Sequence, residues 1–196
     1  MEPVGGWGNR FVRIAVSGSH STGKSTLVAR FLEQRPGYLS EPEAFEVLGD
    51  DITLTSQGPD AEGLADLLGY SISVVESHAP GAAVILERSP VDYLAYAAAS
   101  EALTADEGEG FVLQHLPAVR DSVRGLDLIV MLPVGGAEYV PARPGEDEGF
   151  RLRVDECLRR LLVDDDLGLF AGPAAAAVVE AGPSPDRQLA ELLRRT

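Results

Sequence analysis

Residues Gly18-Ser19-His20-Ser21-Thr22-Gly23-Lys24-Ser25 fit the pattern G-x-x-x-x-G-K-[ST]. Few short patterns constrain a fold as tightly. Such a loop works only between a strand that fixes its entry and a helix whose N-terminal N–H groups face an anion. Both neighbours are legible. Residues 10–18 read as a buried strand, and residues 24–35 place Leu27, Val28, Phe31 and Leu32 at helical spacing before Pro36-Gly37. In this setting the N–H groups from about Ser19 to Ser25 cradle phosphates, Lys24 reaches the β- and γ-phosphates, and the Ser25 hydroxyl ligates Mg²⁺. The expected nucleotide-binding set is Gly18, Ser19, Ser21, Thr22, Gly23, Lys24, Ser25 and Thr26, with ATP and Mg²⁺ as the implied ligands. Lys24 is also the only lysine in the chain; every other cation is an arginine. A compact ammonium suits that place, and Arg does not substitute freely there.

The remainder of the chain alternates strands and helices. A short strand, turn and helix are expected over residues 37–49, a helix over 59–79, and an all-apolar strand over 82–89. A helix with Pro90 near its first position follows over 89–103, then a helix over 106–125 broken at Pro117. Strands at 126–134 and 174–182 and helices at 150–165 and 184–195 complete the series. The pattern predicts an α/β fold, a three-layer sandwich around a mainly parallel five-stranded sheet. One domain over 11–196 is expected, preceded by a tail at 1–10, with a Gly/Pro-rich lid around 135–153.

Composition removes several function classes. A formal net charge of −15 argues against sequence-independent nucleic-acid binding. No apolar run reaches the length of a membrane helix, and no signal peptide is visible, so a cytoplasmic protein is expected. Cys157 is the only cysteine, which excludes intrachain disulfides and Cys-rich metal sites. Asn9 is the only asparagine, so the N-K-x-D motif of guanine-reading switches is absent, as are L-S-G-G-Q and D-E-x-D/H. A small kinase is what these exclusions leave.

Candidate chemistry then falls on strand ends. The run 82–89 ends in Glu87-Arg88, an acid and a base at the edge where open α/β sheets bind ligands. Glu87 is the candidate to hold Mg²⁺ or orient an acceptor, and Arg88 to neutralise charge. Glu41 and Glu43 follow the second strand; a carboxylate there can accept the proton of an attacking hydroxyl. Glu41 is preferred because Pro42 fixes the turn beside it. Arg143, Arg151 and Arg153 are candidates for an arginine that closes over the triphosphate and excludes water. Tyr93 and Tyr96 read as helix-packing residues, and the acidic clusters at 145–149 and 164–168 as solvated faces.

The segments FVRIAVSGSHSTGKSTLVARFL, SEPEAFEVL, VILERSPVDYLAYA and DLIVMLPV, with RPGEDEGFRLRVDECLRRLL beyond, resemble the ribosylnicotinamide-kinase-like family of AAA-domain ATPases and kinases. That family shows E-x-x-R after strand two and D-R-[ST]-P-x-D after strand three. The likeness runs over roughly residues 11–195 in the right order. The E-P and E-R-S elements are also similar to deoxynucleoside kinases. The resemblance implies a P-loop kinase-type fold, Glu41 as catalytic base, Glu87-Arg88 as the second pair, and Arg143 or Arg151 as lid arginine. It also implies that residues 182–187 hold the adenine, with Arg187 stacking on it. Ala44-Phe45 stand where the family often has an arginine, Glu87 where it has Asp, and the lid lacks an Asp-Gly-Val-Arg order.

Two readings follow. The first is an ATP- and magnesium-dependent kinase acting on a hydroxyl of a small molecule, nucleoside-like or ribosylnicotinamide-like by resemblance. Its expected partners are that acceptor and a second copy in a homodimer, without nucleic acid or membrane. The second is a regulatory ATPase module that acts on a protein partner.

Overall fold

The computed structural model describes residues 12–49, 54–55, 58–135, 147–182 and 184–196. Five strands form one parallel sheet: β1 (Arg13–Ser17), β2 (Leu39–Ser40), β5 (Val84–Glu87), β6 (Leu128–Met131) and β7 (Ala177–Glu180), in the order β2-β5-β1-β6-β7. A separate two-residue hairpin, β3 (Leu54–Thr55) with β4 (Gly58–Pro59), was not legible in the sequence pattern. The helices are α1 (Lys24–Gln34), α2 (Ala44–Leu48), α3 (Ala61–Ser77), α4 (Pro90–Ala99), α5 (Ala105–Val123), α6 (Glu148–Leu162) and α7 (Pro185–Arg195).

The sheet is apolar on both faces, and the side-chain alternation sorts its residues into two cores. Ile14, Val16, Ile85, Leu128 and Val130 pack on α1 and α7 through Leu27, Phe31 and Leu192. Ala15, Val84, Leu86, Ile129 and Met131 pack on α3 to α6 through Leu64, Leu68, Leu94 and Val154. A strand buried on both faces cannot alternate polar with apolar, which is why these strands read as continuous apolar runs. The result is the expected three-layer sandwich.

Proline 117 departs from expectation. It lies inside an unbroken α5. Proline removes one helical hydrogen bond, here to the carbonyl of Leu113. Leu113 is 58% exposed, so water reaches that turn and the helix continues. Both flanking helix starts carry their own signals: Thr104 caps α5 with Glu107 in a capping box, and Asp147 caps α6 through Gly149 and Phe150 N–H. The acidic run at 145–149 therefore includes a cap as well as a solvated face.

The topology positions the site. The chain leaves β1 for β2 on one flank, fills in β5 beside β1, and crosses to β6 on the other flank. The carboxyl ends of β1, β5 and β6 therefore open into one crevice, the place where such sheets take ligands.

Candidate active site

The loop after β1 is fixed by backbone sterics. At Gly18 (φ +156°) an added Cβ would lie 2.8 Å from both the Leu132 carbonyl and the Thr22 hydroxyl, so only glycine fits. Gly23 (φ +90°) is the N-cap of α1. Thr22 Oγ1 donates to the Ser19 carbonyl at 2.9 Å, and Ser19 Oγ to the Arg151 carbonyl at 3.0 Å.

The turn after β5 is laced to this loop. Asp92 is wholly buried; its carboxylate accepts from Gly18 N at 3.0 Å, Ser89 N at 2.9 Å and Ser89 Oγ at 3.0 Å. Ser17 Oγ donates to Ser89 Oγ at 2.8 Å. Arg88 occupies left-handed backbone (φ +71°), a conformation that costs a non-glycine residue on the order of 1–3 kcal/mol. Its guanidinium repays that strain: Nε donates to Glu43 Oε1 at 2.5 Å and NH1 to the Gly18 carbonyl at 3.0 Å, beside Asp92 at 3.6 Å. It also lies over the rings of Tyr96 (5.1 Å) and Phe45 (5.9 Å). Tyr93 and Tyr96 are buried beneath it, and burial pushes both phenols above their usual range, so they stay neutral.

Lys24 is 4% exposed, and its ammonium donates to the Ser19 carbonyl at 2.7 Å. Burial, with Arg88 adding to it, lowers its pKa to about 7; Asp92, Glu87 and Glu43 oppose the shift. Ser25 Oγ donates to Glu87 Oε1 at 2.9 Å. This hydroxyl and carboxylate are the donors that a magnesium ion takes, and among the described residues no group of three or more His, Cys, Asp or Glu gathers into a metal cage. Mg²⁺ is held in that way, by one or two protein oxygens, waters and substrate phosphates. The residues present fit it.

Two depressions flank the Ser25–Glu87 pair. One is lined by Ser21, Gly23, Thr26, Arg30, Arg151 and Gln188, and runs from the phosphate loop along α1 to the start of α7. The other is lined by Glu41, Tyr70, Ser71, Glu87, Arg88 and Tyr93. Glu41 Oε1 lies 3.3 Å from His78 Nε2, whereas Glu43 turns inward to Arg88. The two acids of this turn are thus separated: Glu41, the one preferred from the sequence, lines the crevice and Glu43 braces the arginine.

The three lid candidates also part company. Arg151 is buried at the phosphate loop, with NH2 donating to the Ser21 carbonyl at 3.2 Å and NH1 paired with Glu148 at 3.2 Å. Arg153 lies over Phe150 and pairs with Glu101, at the far end of α4. Arg143 lies outside the described residues. Arg187 is exposed on α7 and does not line the depression along α1; Pro185 and Gln188 do. Asp92 was the residue not singled out from the sequence, and the Ser89-x-x-Asp92 capping-box spacing was its signal.

Sheet order, phosphate loop and laced turn define a P-loop kinase-type fold. Solved structures share it at low identity. The NadR protein in complex with NR is 21% identical (TM-score 0.65), the match covering 94% of this chain and 50% of that one. Thymidylate kinase from Candida albicans is 15% identical (TM-score 0.60; 94% and 90% covered), and deoxyadenosine kinase from M. mycoides with bound dATP is 12% identical (TM-score 0.61; 92% and 96% covered). The chain spans about half the length of the NadR chain it matches. The AAA domain family matches residues 13–168, and the chain belongs to that family. No curated protein matches it.

Proposed function

We propose that this chain is an ATP- and Mg²⁺-dependent phosphotransferase that moves the γ-phosphate of ATP to a hydroxyl of a small acceptor. The observation that carries the reading is the position of Glu87. It bonds Ser25 at the phosphate loop and lines the crevice on the other side, so nucleotide and acceptor would meet at one carboxylate. Glu41 and Arg88 line that second depression beside Glu87, and a carboxylate next to the Ser25–Glu87 pair suits the deprotonation of a hydroxyl acceptor. A nucleoside or ribosylnicotinamide-like alcohol is the acceptor class we favour, because solved structures that share this fold include the NadR protein in complex with NR and a deoxyadenosine kinase. A cytoplasmic setting goes with such substrates.

The roles divide as follows. Backbone N–H groups of Ser19 to Thr26 bind the triphosphate, and Lys24 neutralises its terminal charge. Ser25 and Glu87 hold Mg²⁺, which when bound screens the phosphate oxygens. Glu41 takes the proton of the acceptor hydroxyl as that oxygen bonds to the γ-phosphorus. The bond from the γ-phosphorus to the β,γ-bridging oxygen breaks, and ADP leaves with the pair. Arg151, and Arg143 from outside the described residues, supply positive charge to the moving phosphoryl group. Arg88 keeps the loop and the crevice in register through Gly18, Glu43 and Asp92.

The test is ADP release from Mg·ATP across nucleosides, nicotinamide riboside and sugar alcohols, for the wild type, Lys24→Ala and Glu41→Gln. Acceptor-stimulated turnover, with the acceptor gaining the mass of one phosphate, is expected from the wild type alone. Hydrolysis that no acceptor stimulates and that Glu41→Gln leaves unchanged refutes the reading.

A further inference from the structure

The nucleotide-side depression has a direction. Its walls step along α1 from Gly23 through Thr26 and Leu27 to Arg30, seven residues and about 10 Å at 1.5 Å per residue. That is roughly the span from a nucleotide's phosphates to its base. At the far end the Arg30 guanidinium is fixed to Asp186 of α7 at 2.7 Å, which places the first turn of α7 against the base end. Pro185 and Gln188, on that turn, line the depression there, with Pro133 and Gly135 arriving from the end of β6.

The polar groups of this end are unequal. Arg30 is committed to Asp186, and Arg151 to Ser21 and Glu148 at the phosphate end. Gln188 is half-buried, its backbone N–H is used by Ser184, and its side-chain amide makes no hydrogen bond to any described residue. A carboxamide left unpaired in a partly dry cleft is an unspent donor and an unspent acceptor. The two together match the N6 amino group and N7 of adenine; the same edge of guanine offers two acceptors, O6 and N7, and leaves the amide oxygen facing one of them.

We infer that Gln188 is the base-reading residue of the nucleotide site and selects adenine over guanine. This deepens the proposed kinase reading and rests on the nucleotide occupying that depression. It replaces the expected stacking by Arg187 with a hydrogen-bonded readout one residue further along α7.

The experiment measures Kd for ATP and for GTP by calorimetry on the full chain, for the wild type, Gln188→Leu, Gln188→Arg and Arg187→Ala, each checked for an unchanged thermal transition. The wild type is expected to prefer ATP by about tenfold or more, the discrimination that a bidentate amide–adenine pair gives. In Gln188→Leu the ratio falls to within about threefold, because both polar groups are gone. Gln188→Arg turns the preference toward GTP, since a guanidinium donates to O6 and N7 together. Equal wild-type affinities, a ratio unchanged in Gln188→Leu, or a ratio that moves with Arg187→Ala instead overturns the inference while leaving the kinase reading intact. Failure of the wild type to bind either nucleotide removes both.

Discussion

Lys24→Met should stabilise the nucleotide-free protein, although it removes the cation that the proposed function sets against the triphosphate. The ammonium sits 4% exposed with its pKa lowered from 10.5 to about 7. At about 1.36 kcal/mol per pH unit, that gap puts the penalty for keeping the charged form buried near 5 kcal/mol. The sign follows from proton counts. Below pH 7 both native and unfolded chains hold the proton, and the native protein carries the full penalty. Between pH 7 and 10.5 only the unfolded chain holds it, so stability rises with pH. Methionine keeps the length of the side chain and removes the penalty, at the loss of the hydrogen bond to the Ser19 carbonyl, about 1.5–3 kcal/mol for a charged donor. The net gain is about 2–3 kcal/mol at pH 6 and near zero by pH 9. Urea denaturation of both proteins at pH 6, 7, 8 and 9 measures it. A variant less stable than the wild type at pH 6, or a difference that does not close with rising pH, refutes the account of a desolvated lysine.

Other expectations are simpler to state. Nucleotide binding should draw a proton onto Lys24: at pH 8, calorimetry in buffers of different ionisation enthalpy should register uptake of about 0.9 proton, and at pH 6 almost none. Asp92→Ala leaves Arg88 without one buried partner and Gly18 N–H without its acceptor, and should lower stability by about 3–5 kcal/mol in a denaturant titration. Glu87→Gln should raise the Mg²⁺ concentration for half-maximal turnover by about 10–100-fold, with metal-free nucleotide affinity little changed. Gly18→Ala should abolish nucleotide binding, as the new methyl group meets the Leu132 carbonyl at 2.8 Å; a variant that binds normally would show the loop to be more compliant than its geometry implies.

What the sequence disclosed, it disclosed through periodicity and short spacing. The strands carrying Ile14, Ile85 and Ile129 are apolar on both faces, so each stood out as an uninterrupted run, and the phosphate loop is a contiguous pattern. The sequence favoured Glu41 over Glu43 from the turn at Pro42, but the pairing that turns Glu43 inward was not legible, because its partner Arg88 lies 45 residues away in the chain. Arg151 and Arg153 are likewise two residues apart on one helix, and their different partners, Ser21 and Glu101, belong to distant segments. Pro117 misled because local chemistry disfavours proline in a helix, whereas the packing of Phe111, Val112, Val119 and Val123 on either side holds α5 together. Asp92 hid in plain spacing. Its capping role was readable, but its bond to Gly18 crosses from one turn to another.

The solitary lysine has a practical corollary for anyone handling this protein. A chain with one ε-amine offers amine-directed chemistry a single side-chain target, and that target sits in the loop after β1, where the proposed function places the triphosphate. Acylating reagents, isotopic dimethylation or an enzyme that modifies lysines would all report on, or silence, the same atom. Burial lowers the pKa of that amine, so more of it is neutral near pH 7 than of an ordinary lysine, while the same burial limits a reagent's access to it. Labelling yield against nucleotide concentration then becomes an occupancy gauge, read by mass spectrometry without any engineered tag.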